Sequence, residues 1–169
     1  LAIVKHTNPC GVGRGASPLE AWQRAFATDR EAPFGGIIAL NRSLDLALAQ
    51  AIDEIFTEII IAPAFAPDAL ELLLRKKNRR LMRALRPVSS ERCPLLHSVP
   101  GGVLVQQPDR APLAEEQLRV VTERAPSDAE LQALRFGWRV AKHVKSNAIV
   151  YADADRTLGV GAGQMSRVD

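Results

Sequence analysis

The chain has 169 residues, 47% hydrophobic, 24% charged and 5% aromatic. That apolar fraction excludes a wholly disordered or collagen-like polymer, and the length suits one domain of ordinary size. A net charge of +3, from 22 basic and 19 acidic side chains, is too weak to indicate a nucleic-acid partner, although it is compatible with an anionic small molecule. Cys10 and Cys93 stand far apart and form no CxxC pair. The expectation is therefore a reduced, cytoplasmic compartment without a disulfide framework or thiolate metal site. The apolar opening, Leu1 to Val4, is too short for a signal peptide or a membrane span. With no initiator Met, and with an end at Asp169 just after a Gly-rich turn, the chain reads as a piece of something longer.

Short apolar runs alternate with capped helical patterns. Ala2 to Val4 reads as a buried strand leading into a turn-rich loop from His6 to Gly11. Ser17-Pro18-Leu19-Glu20 predicts a helix start, with Leu19, Trp22 and Phe26 on one face. A strand is expected over Gly36 to Leu40. A second helix, capped by Ser43, would place Leu44, Leu48, Ile52 and Ile55 on one stripe. Glu58 to Ala62 reads as a strand stopped by Pro63, and Asp68 to Glu71 repeats the capping-box pattern for a short third helix. Residues 75 to 100 are less regular, and the basic run Lys76 to Arg80 reads as a solvated turn. Gly102 to Gln106 is expected to be a strand. Ser127 opens the longest helix, with Leu131, Leu134 and Trp138 inward, followed by strands at Asn147 to Tyr151 and Leu158 to Val160. Alternation of this kind predicts an α/β domain with a largely parallel sheet covered on both faces.

Two glycine clusters, Gly11 to Gly15 and Gly159 to Gly163, could cradle an anion. Neither has GxGxxG spacing nor a Walker ending, so ordinary tight turns explain them equally well. Lys5 and His6 sit at the carboxyl end of a buried strand, where open α/β sheets place ligand-contacting residues. His6 could act as a base near neutral pH with Lys5 beside it, or be a hydrogen-bonded structural histidine. His97 and His143 lack comparable neighbours. Cys10 after Asn8-Pro9 invites a nucleophile reading with His6 as base, but no orienting carboxylate is evident and a structural thiol is favoured. The ligand patterns of zinc sites are absent. Lys145-Ser146-Asn147 leads into a strand, and Arg167 offers a fork for carboxylate or phosphate.

Five ordered blocks carry a resemblance: Val4-Lys-His-Thr-Asn-Pro-Cys-Gly11, Pro33-Phe-Gly-Gly-Ile-Ile-Ala-Leu-Asn41, Phe56-Thr-Glu-Ile-Ile-Ile-Ala-Pro63, Leu134 to Val140 continuing through Val144-Lys-Ser-Asn-Ala-Ile-Val150, and Gly159 to Val168. Together they resemble the formyltransferase half of the bifunctional AICAR transformylase/IMP cyclohydrolase family over essentially the whole chain. The resemblance implies formyl transfer from 10-formyltetrahydrofolate to the 5-amino group of AICAR. It implies a cytidine-deaminase-like three-layer α/β/α sandwich, truncated and without that superfamily's zinc, with residues 1–125 as a first subdomain and 126–169 as the start of a second. A homodimer with a shared active site is implied as well, with no nucleic-acid or membrane partner.

Carried over, His6 is the general base, Lys5 its charged neighbour near the developing oxyanion, and Asn147 the group that holds the amine or formyl oxygen. Phe34 and Gly35 line the junction of substrate and folate, Glu58 and Arg167 contact AICAR, and Val168 flanks the folate. A structural potassium ion near Ser146, held partly by backbone oxygens, is a further possibility of the family. The family's cyclohydrolase domain, its Arg-Tyr-Gly segment and its C-terminal folate-pocket segments are not found in these 169 residues. The alternatives are a catalytically inert core that dimerises or binds nucleotide, and a phosphate-binding module built on the glycine clusters.

Overall fold

The computed structural model describes residues 1–85, 94–163 and 165. Cys93, Arg167 and Val168 lie outside the described residues. By its contacts the chain divides into two compact units, residues 1–85 with 126–169, and residues 86–125.

In the larger unit β1 (Ala2–Lys5) turns directly back into β2 (Asn8–Val12), followed by α1 (Pro18–Phe26), β3 (Gly36–Ala39), α2 (Leu46–Asp53), β4 (Thr57–Ala62), α3 (Pro67–Leu74) and β5 (Arg80–Arg83). The five strands form one sheet in the order β2-β1-β3-β4-β5. β1 is antiparallel to both β2 and β3, whereas β3, β4 and β5 run parallel. The expected largely parallel sheet is therefore corrected to a mixed one. The cause lies in the predicted loop at His6 to Gly11, most of which is strand. Asn8, Pro9 and Gly11 are poor strand formers, and Pro9 is tolerated because β2 is the edge of this sheet. Pairing jumps from Ile3↔Gly11 to Val4↔Pro9, so Cys10 is the extra residue of a bulge.

One face of the sheet carries the core. Ile3, Ile38 and Ile60 are fully buried and pack with Trp22 and Ala25 of α1, Leu48, Ala49 and Ile52 of α2, and Ala69 and Leu73 of α3. Each such large side chain contributes about 1.5–3 kcal/mol on leaving water. On the other face Val4, Ile37, Ile59 and Ile61 are only half-buried among the described residues. Ser17 caps α1 as expected, with its side chain accepting from Glu20 N at 3.1 Å. For α2 the cap is Asp45 and not Ser43, its carboxylate accepting from Leu48 N at 2.9 Å. α3 begins at Ala66-Pro67 with no side-chain cap, because Asp68 lies inside its first turn.

The helix α4 (Asp128–Ala141) and the hairpin of β8 (Ile149–Ala152) and β9 (Thr157–Gly161) complete this unit. Ser127 and Glu130 form a full capping box at the start of α4. Its expected inner face is corrected, since Leu134 and Trp138 are exposed and Val140 is the residue it buries. Thr157, fully buried, ties β9 to β2 and to the end of α1. Its hydroxyl accepts from Val12 N at 2.9 Å, and its carbonyl accepts from the Thr28 hydroxyl at 2.7 Å. In the smaller unit, β6 (Leu95–Val99) and β7 (Gly102–Gln106) pair as a hairpin.

The basic run at 76–80 is also corrected. Arg79 is buried, donating from Nε to Thr57 Oγ1 at 2.9 Å and from Nη1 to Asp53 Oδ1 at 2.8 Å, while Lys76 reaches the same carboxylate at 3.0 Å. Burial pushes the Asp53 carboxyl up, but the hydrogen bonds and charges of Arg79 and Lys76 outweigh it and hold the group below its ordinary 3.8. A lowered carboxylate value stabilises the fold above pH 3.8, and that contribution is lost as pH falls through the lowered value. Asp53→Asn is expected to cost about 2 kcal/mol in urea unfolding at pH 7. The gap from wild type should close progressively as the pH is taken below 3.8.

Candidate functional site

Because β1 runs against β3 and β4, its carboxyl end meets their amino ends. Lys5, the Phe34–Gly35 turn before β3, and Phe56 to Glu58 at the start of β4 therefore gather at one edge of the sheet. Lys5 does lie at the carboxyl end of its strand, as expected, but β1 is antiparallel to β3, so this edge is also the amino end of the parallel strands. Lys5 Nζ donates to Phe34 O at 2.9 Å, and Gly35 N donates to Phe56 O at 2.8 Å. Gly35 has φ +72°, a conformation that excludes most side chains, and the Phe34 and Phe56 rings meet at 5.5 Å with a 48° tilt. Phe34 is 63% exposed beside them.

His6 and Thr7 make the whole connection between β1 and β2, with Lys5 paired to Asn8. Both have positive φ, +51° and +67°, the pattern of a type I′ hairpin turn that Asn-Gly normally occupies. A β-branched residue at such an angle is an outlier, and strain of about 1–3 kcal/mol per residue is retained mainly at functional positions. The turn leaves His6 exposed at the tip of the hairpin.

Sequence reasoning missed the residue that connects this turn to the distant Lys145-Ser146-Asn147 segment. Asn8 Oδ1 accepts from Lys145 N at 2.9 Å, and Gly163 N donates to Lys145 O at 2.9 Å on the other side. Asn147 thus lies two residues from a hydrogen bond to the strand that begins beside His6. The signal was Asn8 itself, a side-chain acceptor directly after the turn. Glu58 pairs with Arg80 at 2.9 Å, both partly exposed. Among the site residues expected from the sequence, Lys5 is hydrogen-bonded to Phe34, whose chain neighbour Gly35 is bonded to Phe56. Asn147 lies two residues beyond Lys145, which is bonded to Asn8, and Glu58 lies on the strand beginning next to Phe56. Arg167 and Val168 fall outside the described residues.

Cys10 is a free thiol whose pKa burial pushes up, with Asp29 adding to the rise and Lys5 opposing it. A raised value leaves less thiolate and weighs against a nucleophilic role. No group of three or more His, Cys, Asp or Glu is placed to hold a metal ion among the described residues. No described helix is long and apolar enough to cross a membrane.

The first glycine cluster has a packing explanation. A Cβ on Gly11 would lie 2.0 Å from Ala25 O, and one on Gly13 would lie 2.4 Å from Ala21 O, so these glycines let α1 rest directly on the chain. The helix start is satisfied internally, by Ser17 to Glu20 N and by Glu20 Oε2 accepting from Ala16 N at 2.6 Å. Gly159, in contrast, has open space around its Cβ direction. Gly11→Ala is expected to lower stability by about 3 kcal/mol or to block folding, while Gly159→Ala should stay within about 1 kcal/mol of wild type, measured by urea unfolding. Asn8→Ala should cost about 1 kcal/mol and selectively speed hydrogen exchange of the Lys145 amide.

The whole chain, residues 1–169, matches the family described as AICARFT/IMPCHase bienzyme. It is 70% identical over 169 residues to the bifunctional purine biosynthesis protein PurH of Chloroflexus aurantiacus, covering all of this chain and 33% of that protein. It is 55% identical over 172 residues to PurH of Chlorobium chlorochromatii and 53% identical over 169 residues to that of Chlorobaculum parvum, each covering all of this chain and 32% of the relative. The chain therefore spans about a third of the length of the curated relatives it matches. A match over every residue, joined to a hairpin turn and a strand edge built from the blocks that carried the resemblance, makes the chain a member of the AICARFT/IMPCHase bienzyme family.

Proposed function

We propose that these residues belong to a formyltransferase site that moves the formyl group of 10-formyltetrahydrofolate to the 5-amino group of AICAR in purine biosynthesis. The observation that carries the reading is the strained His6–Thr7 turn, which presents His6 next to Lys5 and is linked through Asn8 to the segment bearing Asn147. The names of the relatives, all bifunctional purine biosynthesis proteins, are compatible with it.

In this reading the AICAR amine attacks the formyl carbon and a new C–N bond forms. His6 accepts the proton that the amine gives up as its nitrogen becomes positive. The C–N10 bond of the folate then breaks, the electron pair returns to N10, and the proton held by His6 neutralises that nitrogen. The oxygen of the tetrahedral intermediate carries negative charge, which the Lys5 ammonium and the Asn147 amide stabilise as fixed donors. The amine of an electron-poor imidazole is a weak nucleophile, so alignment by Phe34, Gly35 and Glu58 counts as much as proton transfer. Arg167 would bind AICAR and Val168 would flank the folate. A homodimer sharing its sites, a cytidine-deaminase-like α/β/α layering and a cytoplasmic location belong to the same proposal. So does a potassium ion held by backbone oxygens near Ser146, through which no step of the transfer runs.

The test is formyl transfer assayed with AICAR and 10-formyltetrahydrofolate, in this chain and in the full-length Chloroflexus relative carrying the equivalent change. His6→Ala should lower kcat by about 100-fold or more. Closure of the formylated product to IMP by the 169-residue chain, with no formyl transfer and no effect of His6→Ala, would assign it to the other activity of the bifunctional protein.

A further inference from the structure

We propose that Arg79 is a positioning residue for the Lys5–Phe34 contact, acting through Thr57 and Phe56. The inference deepens the formyl-transfer reading, in which Lys5 stabilises charge, but the geometry behind it stands without any substrate. The Arg79 side chain is 1% exposed and bridges the two ends of the α2–β4 junction, with Nη1 on Asp53 and Nε on Thr57 Oγ1. Phe56, inside that bridge, presents its carbonyl to Gly35 N at 2.8 Å and its ring to Phe34 at 5.5 Å. Phe34 in turn offers its own carbonyl to Lys5 Nζ at 2.9 Å. Each contact ends on the residue, or the immediate neighbour, where the next begins.

Stability alone is a poor reason for this arrangement. A buried guanidinium contributes little net free energy compared with an apolar side chain of similar shape. Arg79 Nη2 is also buried without a hydrogen-bond partner among the described residues, a state that opposes folding. What the planar fork supplies is two fixed directions at once, which hold the Asp53–Thr57 turn in one place. Phe34 and Gly35 rest on Phe56 through both a ring contact and a backbone hydrogen bond, so a shift at Phe56 moves the Phe34 carbonyl and the Lys5 ammonium with it. The neighbouring Arg80–Glu58 pair and the Arg75–Glu71 pair are exposed and have no such reach.

The experiment is amide hydrogen exchange and proton NMR on the 169-residue chain, comparing Arg79→Met, Thr57→Val and, as a surface-charge control, Arg75→Gln. In Arg79→Met and Thr57→Val the Gly35 amide should exchange at least tenfold faster relative to the core amide of Ile60, and the Phe34–Phe56 ring contacts should weaken. Arg75→Gln should leave both unchanged. General destabilisation would speed Gly35 and Ile60 together, so a selective change at Gly35 reports position. Should Arg79→Met fail to fold, Thr57→Val, which preserves the ion pair and the side-chain shape, decides alone. An unchanged Gly35-to-Ile60 ratio in folded Thr57→Val overturns the proposal. That ratio does not depend on whether the chain transfers formyl groups, so the positioning role and the formyl-transfer reading can fail separately.

Discussion

The pairing of β1 on both of its edges, which forces the chain to reverse at His6 and Thr7, is the constraint on which the rest of the sheet depends. Two consecutive non-glycine residues in the left-handed region are unfavourable, so something must hold them there. Pairing on both sides of β1 does so. Ile3 must face the core, and its partners in β2 and β3 are Gly11 and Ile38. A slip of one residue would carry Ile3 to the opposite face, losing about 1.5–3 kcal/mol of burial for that side chain alone. Beyond the turn, Gly11 is locked against Ala25 O of α1, leaving β2 no room to shift. The turn is strained because both strands are already fixed.

That reversal also decides where chemistry can gather. In a doubly wound parallel sheet, ligands collect beyond the carboxyl ends of the strands, often at a helix N-terminus. Here the first helix start is satisfied by its own Ser17 and Glu20, which leaves its positive end little capacity for an outside anion. The antiparallel β1 instead delivers a lysine and a histidine to the amino edge of β3 and β4, where two phenylalanines and a positive-φ glycine already form a bend. The positive charge at this edge of the sheet thus comes from a side chain on a strand end, anchored to a carbonyl.

Much of this was legible in the residues. The strands at 36–39, 57–62 and 102–106, the capped helices at 18 and 128, and the hairpin at 149–161 follow from apolar runs, capping residues and turn composition. Lys5 and Phe34, named from two of the five ordered blocks, are joined by a hydrogen bond. The failures share a cause. β2 has the composition of a loop, since its strand state is imposed by β1 and by Thr157, which lies 145 residues from its partner Val12. The exposure of Leu134 and Trp138 is equally non-local, because a helical stripe tells which residues share a face but not which face finds a neighbour.

The basic run at 76–80 shows the same limit at the level of single charges. Five residues rich in Lys and Arg are normally solvated, and three of the five here are indeed exposed cations. What singles out Arg79 is invisible nearby: a carboxylate 26 residues earlier and a hydroxyl 22 residues earlier, brought together because β4 and β5 lie in parallel register. The backbone sets the direction as well, for Arg80 is the first residue of β5 and projects to Glu58, whereas the residue before it projects inward. Alternation along an extended chain thus sorts two adjacent, chemically identical side chains into a buried clamp and an exposed ion pair. Identity at a position is set by the sequence, but the role of a charge is set by which strand it enters and on which side of that strand it emerges.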